Sequence, residues 1–316
     1  MTAQMLARAG STFGTLLSNV LIGDGEYPCY VFIPPGPITR VVVSLHGGNG
    51  SADQHCLNMH FAHGWPISAQ TANWQMLNNW NCVVIVPNGH YCNGAVTPYN
   101  PYGVTSTNQA RTWANWAMWD GSQYGTVKFL KNASSYIDAN WPGVRKILMG
   151  HSNGGMMGFR MRYEETTPAT FHNYCFCSAS ANDYFVANPN RTGTAKPIRL
   201  EVGWKDTVIC NDPAGLGAHV GDALIVQNPA NASIEDRTYP VQWRGPQAQI
   251  QQEMTALGAG AFDPNNPTSD TAAARTWDYS GVEYVEVKSA DHTILTHDQA
   301  MGSYLFYRHM TWAVAN

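Results

Sequence analysis

The sequence predicts an α/β fold with a mainly parallel central sheet, helices on both faces and loop insertions above the strand ends. Three observations predict it. Short runs rich in β-branched and aromatic residues recur along the 316 residues, most of them continuously apolar, as in strands covered on both faces. Longer segments of helical character lie between several of them, and strands alternating with helices imply parallel pairing, with ligands gathering at the carboxyl ends. One strand-to-helix junction also places a serine among glycines, in "KILMGHSNGGMMGFRMRYEE" (146–165).

In chain order the predicted strands are "YPCYVFI" (27–33), "VVVSL" (41–45), "CVVIV" (82–86), "KILMG" (146–150), "YCFCSA" (174–179), "IRLEVG" (198–203) and "VEYVEV" (282–287). Predicted helices cover 122–140, 153–164 and 297–314. A chain of this length can bury one large core, so residues 1–316 are read as a single domain. Two segments break the rhythm and are read as insertions near the ligand-binding face. One is 51–81, a second lip; the other is 207–275, rich in Gly, Pro, Asn and Ala, with a short helix candidate "PQAQIQQEMTALG".

Charged residues make up 13% of the chain and the net charge is −4, so there is no basic field to hold nucleic acid or an anionic membrane. The N-terminus lacks the pattern of a secretory signal, and no stretch approaches the ~20 apolar residues of a spanning helix. Seven cysteines (29, 56, 82, 92, 175, 177 and 210), none in a CxxC, combine with low charge and many Asn, Gly and Trp to favour a secreted or periplasmic protein with disulfides. Cys175 and Cys177 face the same side of a strand and cannot readily bond each other. Buried free thiols are the competing reading, of nearly equal weight.

Residues 150–154 fit G-x-S-x-G between a predicted strand and a predicted helix, the context in which that pattern is informative. A tight turn there strains the serine backbone, aims its oxygen outward and sets it at a helix N-terminus. A serine hydroxyl needs a base, and the base an acid that fixes its tautomer. In this topology the order is serine, acid, histidine. Asp206 follows "IRLEVG" and His292 follows "VEYVEV", so the candidate catalytic residues are Ser152, Asp206 and His292. The rivals are Asp212 and His297, each farther from its strand end; His297 better suits the opening of the last helix, and Asp291 a loop role. "VVVSLHGGNGSAD" ends the second strand in a glycine loop suited to an oxyanion hole, with backbone amides of Asn153 and of Gly48 or Asn49 as donors.

The motifs "LHGGNGSA", "WDGSQYGTVKFL", "GHSNGGMMGFRM", "VGWKDTV" and "DHT" together resemble those of the bacterial polyhydroxybutyrate depolymerase and feruloyl esterase family. That family is an α/β-hydrolase group of extracellular or periplasmic carboxylesterases and includes hydrolases of oxidised polyvinyl alcohol. The resemblance spans about residues 27 to 310. It implies the α/β-hydrolase fold, Ser152 as nucleophile, Asp206 as acid and His292 as base. The chain departs from the family pattern at Gly48, where Cys is frequent, at "TIL" after the histidine, where Trp-Pro is usual, and in its long 207–275 segment. These departures bear on substrate more than on chemistry.

The expected reaction is acyl transfer on a polymeric or small-molecule ester of a hydroxyalkanoate or feruloyl type, by a monomer without metal or cofactor. Cleavage of the β-diketone of oxidised polyvinyl alcohol is the alternative, and a non-catalytic binding module on the same scaffold is the reading from a different class. Trp204, Trp65 and Trp243 are the candidate substrate contacts, Trp204 first because it lies two residues from Asp206. Trp113, Trp116 and Trp119 share one helical face, which core packing explains better. His55, Cys56, His60 and His63 match no standard zinc spacing. Sequons at Asn49, Asn132, Asn190 and Asn231 are read as chance matches.

Overall fold

The computed structural model describes residues 14–23, 27–48, 50–91, 111–112, 126–165, 170–181, 195–206, 209, 224–226, 242–294 and 301–316. Its strands are β1 (Thr15–Leu21), β2 (Pro28–Ile33), β3 (Arg40–Leu45), β4 (Cys82–Pro87), β5 (His90–Tyr91), β6 (Arg111–Thr112), β7 (Arg145–His151), β8 (Asn173–Cys177), β9 (Ile198–Gly203), β10 (Leu224–Val226), β11 (Gln242–Arg244), β12 (Ser269–Asp270), β13 (Ala274–Tyr279) and β14 (Val282–Val287). The helices are α1 (Ala52–Asn58), α2 (Trp74–Asn79), α3 (Thr126–Asn140), α4 (Asn153–Tyr163), α5 (Pro246–Leu257) and α6 (Leu305–Ala315).

Ten strands form one sheet in the order β1-β2-β4-β3-β7-β8-β9-β14-β13-β12. The six from β4 to β14 run parallel. Antiparallel β2 and β1 extend one edge, and β13 and β12 the other. Successive side chains of a strand point to opposite faces, and the core divides accordingly. Val41, Val43, Leu45, Leu148, Tyr174 and Phe176 join one cluster with residues of α3, α4 and α5. Val42, Ile147, Met149, Cys175 and Cys177 join the other, with residues of α1, α2 and α6. Both faces of the parallel strands are therefore dry, which is why they read as continuous apolar runs.

Three regions of the sequence reading take a definite place in the fold. Residues 51–81 form the connection from β3 to its parallel neighbour β4, and α1 and α2 bury Cys56, Trp74, Met76 and Leu77 against the sheet. The later part of 207–275 is likewise built into the fold, since α5 puts Ile250 and Met254 in the main core and β13 begins at Ala274. The last helix runs from Leu305, after Gly302 at φ +69° and Tyr304 in extended backbone, and residues 297–300 of the predicted 297–314 helix lie outside the described residues.

Cys29, Cys56, Cys82, Cys175 and Cys177 are buried free thiols, and among the described residues there is no disulfide. They pack as small apolar side chains, and burial pushes the Cys82 thiol up to about 12. The expected disulfides therefore do not involve these five; Cys92 and Cys210 lie outside the described residues. Among the described residues no helix is long and apolar enough to cross a membrane.

Buried charges tie helices to the sheet. Arg199 Nη1 and Arg308 Nη2 approach the two oxygens of Glu201 at 2.7 and 2.6 Å, joining α6 to β9. Burial alone would raise the Glu201 carboxyl, but these guanidiniums hold it at about 2. Between α4 and α5, Arg162 Nε donates to Glu253 at 2.7 Å and the Tyr163 hydroxyl donates to its other oxygen at 2.6 Å. Removing one member of such a pair strands the other charge in a dry site. Glu253→Ala is therefore expected to lose roughly 3–5 kcal/mol of stability, read as a lower urea midpoint, with Glu253→Gln losing less; a midpoint unchanged in both variants would contradict the coupling.

Candidate active site

The connection from β3 leads to β4 on one side, while β7 pairs with the other side of β3 and continues to β8. Open α/β sheets bind ligands at such a reversal, beyond the carboxyl ends of the strands. The loop from His46 and the turn at Ser152 both lie there.

Ser152 has φ 51° and ψ −121°, a conformation that costs a non-glycine residue about 1–3 kcal/mol. Strand and helix impose it together. The Ser152 amide donates to the Cys177 carbonyl at 2.9 Å, and its carbonyl accepts from Met156 at 2.8 Å, the first bond of α4. Gly154 makes the turn possible, because a Cβ there would stand 2.5 Å from the His46 carbonyl oxygen and 2.6 Å from that of Leu45.

The β3 loop is held from behind by His46, which is buried. The Gly89 amide donates to His46 Nε2 at 2.9 Å, so that nitrogen is the acceptor and Nδ1 carries the proton. Nδ1–H then donates to the Gly47 carbonyl at 2.7 Å, and the Gly50 amide donates to the same oxygen at 3.2 Å. In a trans peptide the next N–H points the opposite way, so the Gly48 amide is turned away from this knot. Gly48 lies against Asn153, with 3.4 Å from the place of a Gly48 Cβ to the Asn153 Cβ. The Asn153 amide opens the first turn of α4, where main-chain donors lack partners within the helix. Asn49 lies outside the described residues.

Ser152 Oγ is 2.7 Å from His292 Nε2, and His292 Nδ1 is 2.9 Å from both oxygens of Asp206. An ionised carboxylate only accepts, so it keeps the proton on Nδ1 and leaves the Nε2 lone pair towards the serine. Asp206 is fully buried and also accepts from the Ile209 amide at 3.2 Å. Acid and base loops lie backbone against backbone: Lys205 donates to the Ala290 carbonyl at 2.9 Å, and a Cβ on Gly203 would stand 2.4 Å from that same oxygen. Of the rivals, Asp212 and His297 lie outside the described residues. Asp291 caps its own loop, accepting from the Thr293 amide at 2.8 Å.

The candidate tryptophans have different surroundings. Trp204 is half-buried and engaged: its indole donates to Glu286 at 2.8 Å, and the Arg275 guanidinium lies 4.9 Å over its ring. It thereby braces the end of β9 against β13 and β14. Trp65 is 58% exposed in the β3–β4 connection. Trp243 lies in β11 opposite Ile225 of β10, and Trp113, Trp116 and Trp119 lie outside the described residues. His55 is buried and bonded to Ser44 at 2.8 Å, Cys56 is in the core, His60 stacks on Tyr304 and His63 is exposed, so the four do not converge.

One residue that sequence reasoning passed over also belongs here. His151 Nε2 lies 3.2 Å from the main-chain carbonyl of His292. Burial and the neighbouring His292 lower its imidazole to about 4. The only sequence signal was its place inside G-x-S-x-G, at the position that pattern leaves open.

No family model matches the sequence, and no curated protein matches it. Solved structures do match. Acetyl xylan esterase from Aspergillus awamori aligns over 93% of this chain and 100% of its own, at 13% identity and a TM-score of 0.54. A predicted CIB-like hydrolase from Thermoplasma acidophilum aligns over 95% and 99%, at 10% identity and a TM-score of 0.46. Esterase PE8 aligns over 94% and 98%, at 15% identity and a TM-score of 0.44. At such identities the likeness to the first is one of fold. With its mainly parallel sheet and flanking helices, the chain has the α/β-hydrolase fold.

The histidines make acid stability testable. His55, His151 and His309 are all held below the usual histidine range, chiefly by burial. As pH falls through ~6.5 the unfolded chain takes up protons that the folded state refuses, so stability drops. Each such group contributes at most ~1.4 kcal/mol per pH unit, and His151 stops contributing near pH 4, where the folded state also protonates. The stabilising effect of Glu201 is lost only at lower pH, as pH falls from its unfolded value towards about 2. Urea midpoints are expected to be level above pH 7 and to fall by pH 5; equal midpoints at pH 7 and 5 would contradict this account.

Proposed function

We propose that this protein is a serine carboxylesterase acting on polymeric or aromatic esters of the hydroxyalkanoate or feruloyl type. The observation that carries the proposal is the relay from Ser152 through His292 to buried Asp206, set beside a glycine loop at the sheet's reversal point. The motif resemblance supports the substrate class. A solved structure that shares the fold is named an acetyl xylan esterase, a name that also refers to an ester.

The chemistry follows from the proton positions. Ser152 Oγ attacks the ester carbonyl while its proton passes to His292 Nε2, and Asp206 stabilises the resulting imidazolium. The carbonyl π electrons move onto oxygen, which the amides of Asn153 and Gly48 face; one such donor is typically worth ~10²–10³ in turnover. Collapse expels the alkoxide, which takes the proton from His292, and an acyl-Ser152 ester remains. Water then repeats the sequence, releasing the acid and restoring Ser152. Acid conditions stop the cycle, because a protonated imidazole cannot accept the serine proton.

The test compares wild type with Ser152→Ala on p-nitrophenyl esters of increasing length, methyl ferulate, hydroxybutyrate oligomers and oxidised polyvinyl alcohol. Wild type is expected to turn over at least one and to be labelled stoichiometrically at Ser152 by a fluorophosphonate. The alanine variant is expected to lose on the order of 10⁶-fold in kcat. Equal activity in both, or a Ser152 that takes no label, would return the scaffold to the binding-module reading.

A further inference from the structure

We infer that His151 is a positioning residue: its Nε2–H grips the main-chain carbonyl of His292 and thereby sets the base against the serine. The inference rests on the reading of Ser152, His292 and Asp206 as the catalytic triad.

The proton assignment follows from the partner. A carbonyl oxygen can only accept, so the 3.2 Å contact requires His151 to carry its proton on Nε2. Nδ1 is then the unprotonated nitrogen, and it faces the β3 loop, 2.9 Å from where a Gly47 Cβ would stand. His151 is covalently next to Ser152. One imidazole therefore touches or adjoins the three segments that must agree: the serine turn, the base loop and the glycine loop.

The base loop needs such a tie. The bonds from His292 to Ser152 and Asp206 fix its ring, but they leave its main chain free to rotate about that ring. Upstream, the loop is pinned where Lys205 donates to Ala290 at 2.9 Å. The His292 side chain is 22% exposed, so packing does not enclose it. The His151 bond attaches the His292 main chain one residue from the serine, with the two imidazole centroids 5.7 Å apart. It spans 141 positions of sequence, closely parallel to the Ser152–His292 bond itself. Misplacement of a reacting group by about 1 Å can cost ~10²-fold in rate.

The test uses the full chain and p-nitrophenyl acetate. His151→Phe keeps an aromatic ring without the donor; His151→Gln keeps an N–H at similar reach. We expect His151→Phe to lower kcat about 10–100-fold with KM changed less than about twofold, and His151→Gln to recover most of the loss, both melting close to wild type. A His151→Phe kcat within about twofold of wild type overturns the inference. A folded His151→Gln as slow as His151→Phe also overturns it, since packing would then explain the loss. A measurement that needs no variant is the ¹⁵N spectrum of wild-type histidines at neutral pH: His151 in the Nε2–H form supports the inference, and the Nδ1–H form overturns it. That spectrum is read without substrate. Failure of the hydrolase reading shows separately, as activity retained by Ser152→Ala.

Discussion

The close approach of the first turn of α4 to the end of β3 is the constraint on which the rest of the site depends. With no side chain at Gly154, the helix backbone settles against the carbonyls of Leu45 and His46. That contact forces the chain to turn within one residue, and the residue that bears the strain is Ser152. It also brings Gly47 and Gly48 beside His151 and Asn153, so the glycine loop and the Ser152 turn are set by the same packing event. The cost in backbone strain is distributed over a strand buried on both faces and a helix whose described residues are all buried. Such an environment can hold an unfavourable dihedral.

Much of this was legible in the sequence, for identifiable reasons. The parallel strands announce themselves because both faces are dry, and the helix 246–257 because proline opens it and Gly258 closes it in the left-handed conformation. Ser152, Asp206 and His292 stand out because each lies within a few residues of a strand end, where local pattern and topology coincide. What was illegible depends on long-range packing. The edge strand β1 carries no clear alternation, with a burial pattern interrupted by the bulge between Leu17 and Val20. The role of 51–81 is hidden because a crossover helix of seven residues looks like a loop until its partner strand is known. Trp204 was read by its distance along the chain from Asp206, whereas its surroundings come from β13 and β14.

Charge is scarce in this chain, and the interior uses it sparingly and in pairs. Glu201 receives two guanidiniums, Glu253 receives one guanidinium and a phenol, and each joins a helix to what it packs on. The histidines near the site are treated differently: His46, His55 and His151 are held by neutral hydrogen bonds to main chain or serine. Neutral imidazoles can be buried without a counter-ion, and each has a donor and an acceptor that fix its orientation. His292 itself is bonded to a carboxylate, that of Asp206.

The wide spacing of the three polar groups along the chain decides when they can meet. Ser152 and His292 are 140 positions apart, and His292 and Asp206 are 86 apart. Contacts of that separation close late, after the chain has lost most of its freedom. A ribosome-bound fragment that ends between α4 and β14 has the Ser152 turn but not His292, and one ending before α6 lacks the helix that Glu201 anchors. The hydrogen-bonded series Ser152–His292–Asp206 thus belongs to the finished fold alone, because its members arrive on segments as far apart as β7 and β14.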